Sequence, residues 1–373
     1  MIRIALNTLL LLAFANTVFS QQHGKKGGNK KPITVIAYYA GPTALVDSFA
    51  AEKLTHIIFS FCHLKGNKLA VDDARDTATI QQLVGLKKRN PDLKIQLSLG
   101  GWGGCETCSE VFSTDTAREE FAQSVKQLLD YFNADGIDLD WEYPAISGYP
   151  GHRFTPEDKP NFTKLVAQIR KAIGKKNEIS FAAGGFTTFL EQSIEWKKVM
   201  PLLDRVNLMT YDLVHGFSSV TGHHTPIYST SQQRESAHNA VRFLDSIGIH
   251  RNKLVIGAAF YSRIFEDVDS VNNGLYRPGK FKRGVPFKNY PNELTTDSGF
   301  VYHWDPVAQA PWLYNAQQKL FVTYDDTKSM RLKTAYAIDE RLNGIMFWQL
   351  GEDTFSGGLL DAIYDEKVTK GSK

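Results

Sequence analysis

The chain has 373 residues, of which 42% are apolar and 22% charged, and its formal net charge is +3. So small an imbalance, much of it from one short lysine-rich stretch, excludes a nucleic-acid-binding face, and no segment after residue 20 is apolar enough over ~20 residues to cross a membrane. The length is large for one core but normal for an α/β barrel that carries an insertion.

Residues 1–20 contain Arg3 and then an apolar run from Leu9 to Phe19, broken only by Asn16 and Thr17 and followed by Ser20. This is the pattern of a signal peptide, too short to span a bilayer, and it predicts a secreted, extracellular mature chain beginning near Gln21. Residues 21–32 open with QQHGKKGGNKK, where lysines stand among glycines, and read as a disordered basic leader.

Short runs rich in Val, Ile and Phe then alternate with amphipathic stretches, the pattern of parallel strands joined by helices. Eight runs are predicted as strands: residues 33–39, 54–61, 94–100, 136–142, 178–184, 205–211, 253–260 and 344–350. They specify an α/β chain closed into a (β/α)8 TIM barrel, built from residues 33–260 and 326–365. After the third run, Phe121, Val125, Leu128, Leu129 and Phe132 recur at helical spacing, with Asp115 as the expected N-cap. After the fourth, Phe162, Leu165, Val166, Ile169 and Ile173 do the same and stop at Gly174. Far more chain separates the seventh and eighth runs than a helix and two loops require. Residues 261–325, rich in Gly, Pro and aromatics, are therefore read as a small α+β insertion between strands 7 and 8, and residues 366–373 as a C-terminal tail.

Three cysteines are an odd number for a secreted protein. Cys105 and Cys108 form a C-x-x-C after the third strand. A local disulfide pinning that loop is the plain reading; a redox pair or half of a zinc site is the alternative, and no second cysteine pair is available to complete the latter. Cys62 is expected to be a buried thiol.

Active sites of (β/α)8 enzymes lie at the C-terminal ends of the strands. Those ends carry Tyr38, Phe61, Trp102, Glu142, Ala183, Tyr211 with Asp212, Tyr261 and Trp348. An aromatic basin around carboxylates suits a sugar ring, whose apolar face stacks on rings while its hydroxyls need acceptors. Side chains alternate along a strand, so Asp138, Asp140 and Glu142 share one face and Ile137, Leu139 and Trp141 the other. Neighbouring carboxylates in that row stand ~6.5 Å apart at the backbone. Mutual repulsion and lost hydration predict that at least one keeps its proton near neutral pH, as glycoside cleavage requires.

The run DGIDLDWE (residues 135–142) resembles the D-x-x-D-x-D-x-E motif of the family 18 glycoside hydrolases, the chitinases and their relatives. Ser98-Leu99-Gly100-Gly101 is similar to that family's S-x-G-G, and Met209-Thr210-Tyr211-Asp212 to its M-x-Y-D. Trp348 stands in the place of the tryptophan on the last strand, and Tyr261 to Phe265 open the long interval much as the family's chitinase insertion domain begins. The resemblance implies retaining hydrolysis of chitin or chito-oligosaccharides assisted by the substrate's own acetamido group. Glu142 would be the acid and base, Asp140 would hold the acetamido N–H, Asp138 would share a proton with Asp140, and Tyr211 would donate to the acetamido oxygen. Trp348 would floor the cleaved sugar, Met209 and Asp212 would shape its subsite, and Trp102 would stack on the acceptor side. Arg263 is a further expected sugar contact, and Tyr38, Phe61, Tyr143, Ala183 and Tyr261 complete the expected binding set. Asp135 is expected to support the strand. After the first strand, Tyr39-Ala40-Gly41-Pro42 offers no tryptophan where many relatives place a distant platform. No metal or cofactor, no nucleic acid and no membrane partner is expected, and the enzyme is expected to act as a monomer. A sugar-binding lectin and an endo-β-N-acetylglucosaminidase are the alternatives, and Asn161-Phe162-Thr163 is a sequon in a secreted chain.

Overall fold

Eight parallel strands close into a ring in the computed structural model, which describes residues 32–371; the segments expected as a signal peptide and, up to Lys31, a leader lie outside the described residues. In chain order the strands are β1 (Thr34–Tyr39), β2 (His56–Lys65), β3 (Lys68–Ala70), β4 (Lys94–Gly100), β5 (Gly136–Asp140), β6 (Glu178–Gly184), β7 (Val206–Met209) and β8 (Leu254–Ala259). They continue with β9 (Tyr261–Glu266), β10 (Lys280–Pro286), β11 (Val301–Asp305), β12 (Ala310–Asn315), β13 (Leu320–Thr323) and β14 (Gly344–Trp348). The ring runs β1-β14-β8-β7-β6-β5-β4-β2 and is closed by β1 pairing with β2, while β3 folds back on β2 as a hairpin. This is a (β/α)8 TIM barrel. Strand β5 ends at Asp140 and β7 at Met209, so Glu142 and Tyr211 stand just beyond their strands, at the mouth.

The helices bury the stripes that their spacing predicts. Phe121, Val125, Leu129 and Phe132 of the Asp115–Phe132 helix are buried, as are Phe162, Leu165, Val166, Ile169 and Ile173 of the Asp158–Ile173 helix. Between these helices and the ring lies the main core, where Trp141 packs near Phe112 and Phe162. The N-cap of the first of these helices is Thr114, not Asp115: the Thr114 side chain accepts the Ala117 N–H, and Asp115 is instead the first helical residue, paired with Arg118. Residues 366–371 do not form a loose tail, because they continue the helix Leu359–Gly371, anchored by buried Leu359, Leu360, Ala362 and Ile363. Asn161 is only 7% exposed and accepts from Arg118, so the folded chain has no room for a glycan on that sequon. Among the described residues, no helix is long and apolar enough to cross a membrane.

The insertion is mostly β. Its antiparallel sheet runs β10-β9-β13-β12-β11, with Tyr290–Glu293 as a single short α-helix. Both faces are apolar: Ile264, Leu313 and Val322 share one cluster, and their neighbours Phe265, Trp312 and Phe321 another. Its entry and exit meet at Asp325. That carboxylate accepts from the Ala259 N–H (3.2 Å), Thr225 Oγ1 (3.3 Å), Ser329 Oγ (2.7 Å) and Lys333 Nζ (2.5 Å), and Lys333 is itself fully buried.

At the base of the barrel His56, Glu178 and Arg205 form a buried polar plug, with Lys94 paired to Glu178 at its edge. Burial, with Arg205 and Lys94 adding, holds the His56 imidazole down to about 4, so it is neutral in the fold at pH 7. Burial alone would raise Glu178, but His56, Arg205 and Lys94 hold it well below the usual carboxylate range. Both folded-state values lie below their unfolded ones, so their contributions to stability are present at neutral pH and are lost on acidification. For His56 the loss runs from about pH 6.5 to about pH 4 and amounts to about 3 kcal/mol. Urea midpoints should therefore fall steadily from pH 7 to pH 4, and a midpoint that stays constant over that range would contradict this account of the plug.

Candidate active site

The carboxylate row sits where strand register brings donors to it. Ser98 of β4 and Ser180 of β6 are both in register with Asp138 of β5, one on each side. Asp138 is fully buried. Its Oδ2 accepts from Tyr38 Oη (3.1 Å) and Ser98 Oγ (3.0 Å), and its Oδ1 from Ser180 Oγ (2.6 Å) and Asn207 Nδ2 (3.2 Å). Asn207 Nδ2 also donates to Tyr38 Oη at 3.0 Å. Burial raises the Asp138 carboxyl while the Ser180, Ser98 and Tyr38 hydroxyls oppose the rise. Four donors fill the acceptor capacity of a carboxylate.

Asp140, one step up the same face, is the opposite case. It is buried and its Oδ1 has no hydrogen-bond partner. Burial, with Glu142 and Asp138 adding, pushes its carboxyl well above the ordinary range. Glu142, at the mouth, is held up to about 7 by burial, with the Tyr143 hydroxyl opposing and Asp212 adding to the rise.

Glycines let β4 lie against this strand. A side chain on Gly100, at φ +106°, would strike the Asp140 carbonyl oxygen at 2.2 Å, and one on Gly101, at φ +84°, would strike the Phe61 ring at 2.3 Å. In their absence the Gly101 N–H donates to the Asp140 carbonyl at 2.9 Å. Below the mouth, Asp135 accepts the Ile95 N–H at 2.7 Å and pairs with Lys87 at 2.6 Å, as a strand support.

Phe61 and Trp348 stack with ring centroids 5.6 Å apart and 13° between planes, forming a flat aromatic floor. Non-proline cis peptides lie at Ser60–Phe61, Glu142–Tyr143 and Trp348–Gln349, all at the mouth. Met209 and the partly buried Tyr143, Tyr211 and Trp348 pack in one small cluster inside the rim. The nearest partner of the Tyr211 hydroxyl is the soft Met346 Sδ at 4.0 Å, which leaves a strong donor for something better. Tyr261 lies edge-on to Tyr211. Arg263 directs Nε and Nη2 at Asp212, at 2.7 and 2.6 Å, so the two residues form one bidentate unit. Burial alone would raise Asp212, but His224 at 3.5 Å and the bidentate Arg263 guanidinium hold it well below the usual carboxylate range, fixing a negative charge there.

Two expected binding residues lie elsewhere. Ala183 is fully buried in the outer core, because Ser180 and Ala182 take the inward face of β6. Tyr38 is 1% exposed and its hydroxyl is engaged below with Asp138, so it supports the acid row and does not line the basin. Trp102, 48% exposed, is joined by two rings that the sequence reading passed over, Tyr149 at 5.5 Å and Phe217 at 6.4 Å. Both lie in loops, where no strand or helix period marks them. Cys105 and Cys108 are joined by a disulfide in the loop after β4, and Cys62 is a buried free thiol raised by burial.

Comparison with known proteins places this geometry in context. The model of the family described as glycosyl hydrolases family 18 matches residues 32–353. The chain is 34% identical to Chitinase A1 of Niallia circulans over 74% of its own length, but this spans only 42% of that relative. It is 28% identical to Chitinase B of Serratia marcescens, covering 88% of this chain and 83% of the relative. Among solved structures, a family 18 N-acetylglucosaminidase from Paenibacillus barengoltzii superposes with a TM-score of 0.81 at 35% identity, over 90% of this chain and 99% of that one.

The Asp138 cradle generates a test that needs no substrate. Asn207→Leu removes a donor to both Asp138 and Tyr38, and should lower unfolding free energy by about 1–3 kcal/mol in urea titrations. An unchanged midpoint would show that the amide does not support the buried charge.

Proposed function

The chain belongs to glycosyl hydrolases family 18, and from that membership we propose that it is a secreted chitinase cleaving β-1,4 bonds between N-acetylglucosamine units by a retaining, substrate-assisted route. The observation that carries the reading is the division of labour along one strand face: Asp138 held by four donors, Asp140 pushed upward by burial and with a free oxygen, and Glu142 held up to about 7 at the mouth. The signal-peptide pattern of residues 1–20 supports secretion.

In this reading Glu142 gives its proton to the glycosidic oxygen as the bond to the anomeric carbon breaks, and the acetamido carbonyl oxygen of the same sugar forms the new bond to that carbon. Asp140 Oδ1 accepts the acetamido N–H, aligning the carbonyl, and Tyr211 donates to the acetamido oxygen. The resulting oxazolinium ion is opened by water, whose proton returns to Glu142. The Phe61–Trp348 floor supports the apolar face of the sugar, and Trp102 with Tyr149 and Phe217 receives the departing end. Glu142, held up to about 7 at the mouth, disfavours a purely lectin role, since sugar binding alone needs no such acid. Likeness to an N-acetylglucosaminidase over nearly that protein's whole length favours a second reading, removal of single N-acetylglucosamine units from chain ends.

Glu142→Gln should retain oligosaccharide binding while losing about three orders of magnitude in turnover. Turnover comparable to the parent would remove Glu142 from the role of acid. Because the acid form must be present, kcat/KM should fall as pH rises through about 7; activity rising through that range would contradict the assignment. A time course on N-acetylglucosamine hexamer separates the two readings by its first products: di-, tri- and tetrasaccharide mark the chitinase, whereas monosaccharide released together with pentamer marks the second reading.

A further inference from the structure

Glu352 lies four residues beyond Trp348, in the loop that leaves β14. The loop is held from both sides. Gln349 accepts the Glu352 N–H at 3.0 Å through its carbonyl and the Gly351 N–H at 2.9 Å through its side chain, while Lys288 of the insertion donates to the Gly351 carbonyl at 2.8 Å. The Glu352 carboxyl takes no part in this. Its Oε2 is buried and has no hydrogen-bond partner. The two cations whose charge it feels are engaged elsewhere, Lys288 with the Gly351 carbonyl and Arg263 with Asp212.

The neighbouring carboxylate shows what a structural role looks like at this position. Asp353 accepts the N–H groups of Thr354 (2.9 Å), Leu359 (3.0 Å) and Leu360 (2.9 Å), and so ties the loop to the last helix. Glu352 has no such duty. A buried carboxyl oxygen without a donor destabilises a fold, and burial accordingly holds this carboxyl up to about 7, with Lys288 and Arg263 opposing and Asp212 adding. Such a group points to a ligand that supplies the missing donor.

The position indicates which ligand. Glu352 follows β14 and Arg263 follows β8, and both strands lie on the side of the ring away from β4, which carries Trp102. A cationic group is disfavoured by Lys288 and Arg263 alongside, whereas a neutral hydroxyl is a suitable donor. Resting on the chitinase reading, we propose that Glu352 is a specificity-determining residue that accepts a hydrogen bond from a hydroxyl of the sugar next to the one seated on Trp348, on the side of the mouth opposite Trp102.

The test compares the parent with Glu352→Leu and Glu352→Gln on N-acetylglucosamine hexamer, together with thermal unfolding of each protein. Glu352→Leu should raise KM about fivefold, the worth of one hydrogen bond, with kcat within about twofold of the parent. Its Tm should equal or exceed the parent's, since an unpartnered buried acceptor has gone. Glu352→Gln, which keeps one acceptor oxygen and the same shape, should raise KM about twofold, and it carries the test if the leucine variant does not fold. Parental KM in both variants, or a Tm that drops along with the affinity, would overturn the assignment. A parent that leaves the hexamer intact defeats the chitinase reading instead, so the two failures are distinct.

Discussion

A buried carboxylate, Asp138, accepts hydrogen bonds from side chains on β1, β4, β6 and β7 while standing on β5 itself. Charge in a protein interior is costly unless its lone pairs are filled. The barrel meets that demand only in one register: a one-residue slip of β6 would exchange Ser180 for a core residue and leave the carboxylate short of a donor. The same charge constrains what lies above it. Asp140, one step up the same face, is pushed well above the ordinary range by burial and by Glu142, with Asp138 adding. The carboxylates at the mouth thus stand on a fully buried polar layer.

Much of this was legible in the chain. Alternation along residues 136–142 placed the acids on one face and Ile137, Leu139 and Trp141 on the other, because an inward acidic face against an outward apolar one leaves a single phase for the strand. Residues 178–184 carried a weaker form of the same contrast: in EISFAAG, Glu178 and Ser180 share one face with Ala182, and Ile179 and Phe181 share the other with Ala183. Ala183 was placed at the mouth by its position near the strand end, while the alternation, and the pairing of Ser180 with Asp138, send it outward. Tyr38 illustrates the other limit. Its place at a strand end was readable, but its function depends on Asp138, 100 residues away, and Asn207, 169 residues away. The loop aromatics Tyr149 and Phe217 come to Trp102 by tertiary packing alone and carry no periodic signal.

The insertion is joined to the barrel where polar demands are also concentrated. Asp325 and Lys333 are both fully buried, and the aspartate binds the last backbone amide of β8, Thr225 and Ser329 as well. Removing either partner would leave the other charged and unpaired, which is far more destabilising than the pair itself is stabilising. The arrangement holds the entry and exit of the inserted sheet together, and so fixes where β9 begins. Thr225 Oγ1, whose one proton is shared between Asp325 and the Thr210 carbonyl at 3.1 Å, carries the junction to the backbone next to Tyr211.

That geometry gives the insertion an electrostatic role at the acid. Arg263 lies on β9, and together with His224 it keeps Asp212 ionised in a setting where burial alone would favour the neutral form. The charge retained on Asp212 then disfavours the ionised form of Glu142, adding to the rise that burial produces. The sign is not obvious from proximity. An arginine near an acid ordinarily lowers its pKa, but here the arginine is neutralised by a bidentate partner, and the residual influence on Glu142 comes from the carboxylate of that pair. The proton on Glu142 is thus favoured by a fixed anion that the insertion sustains.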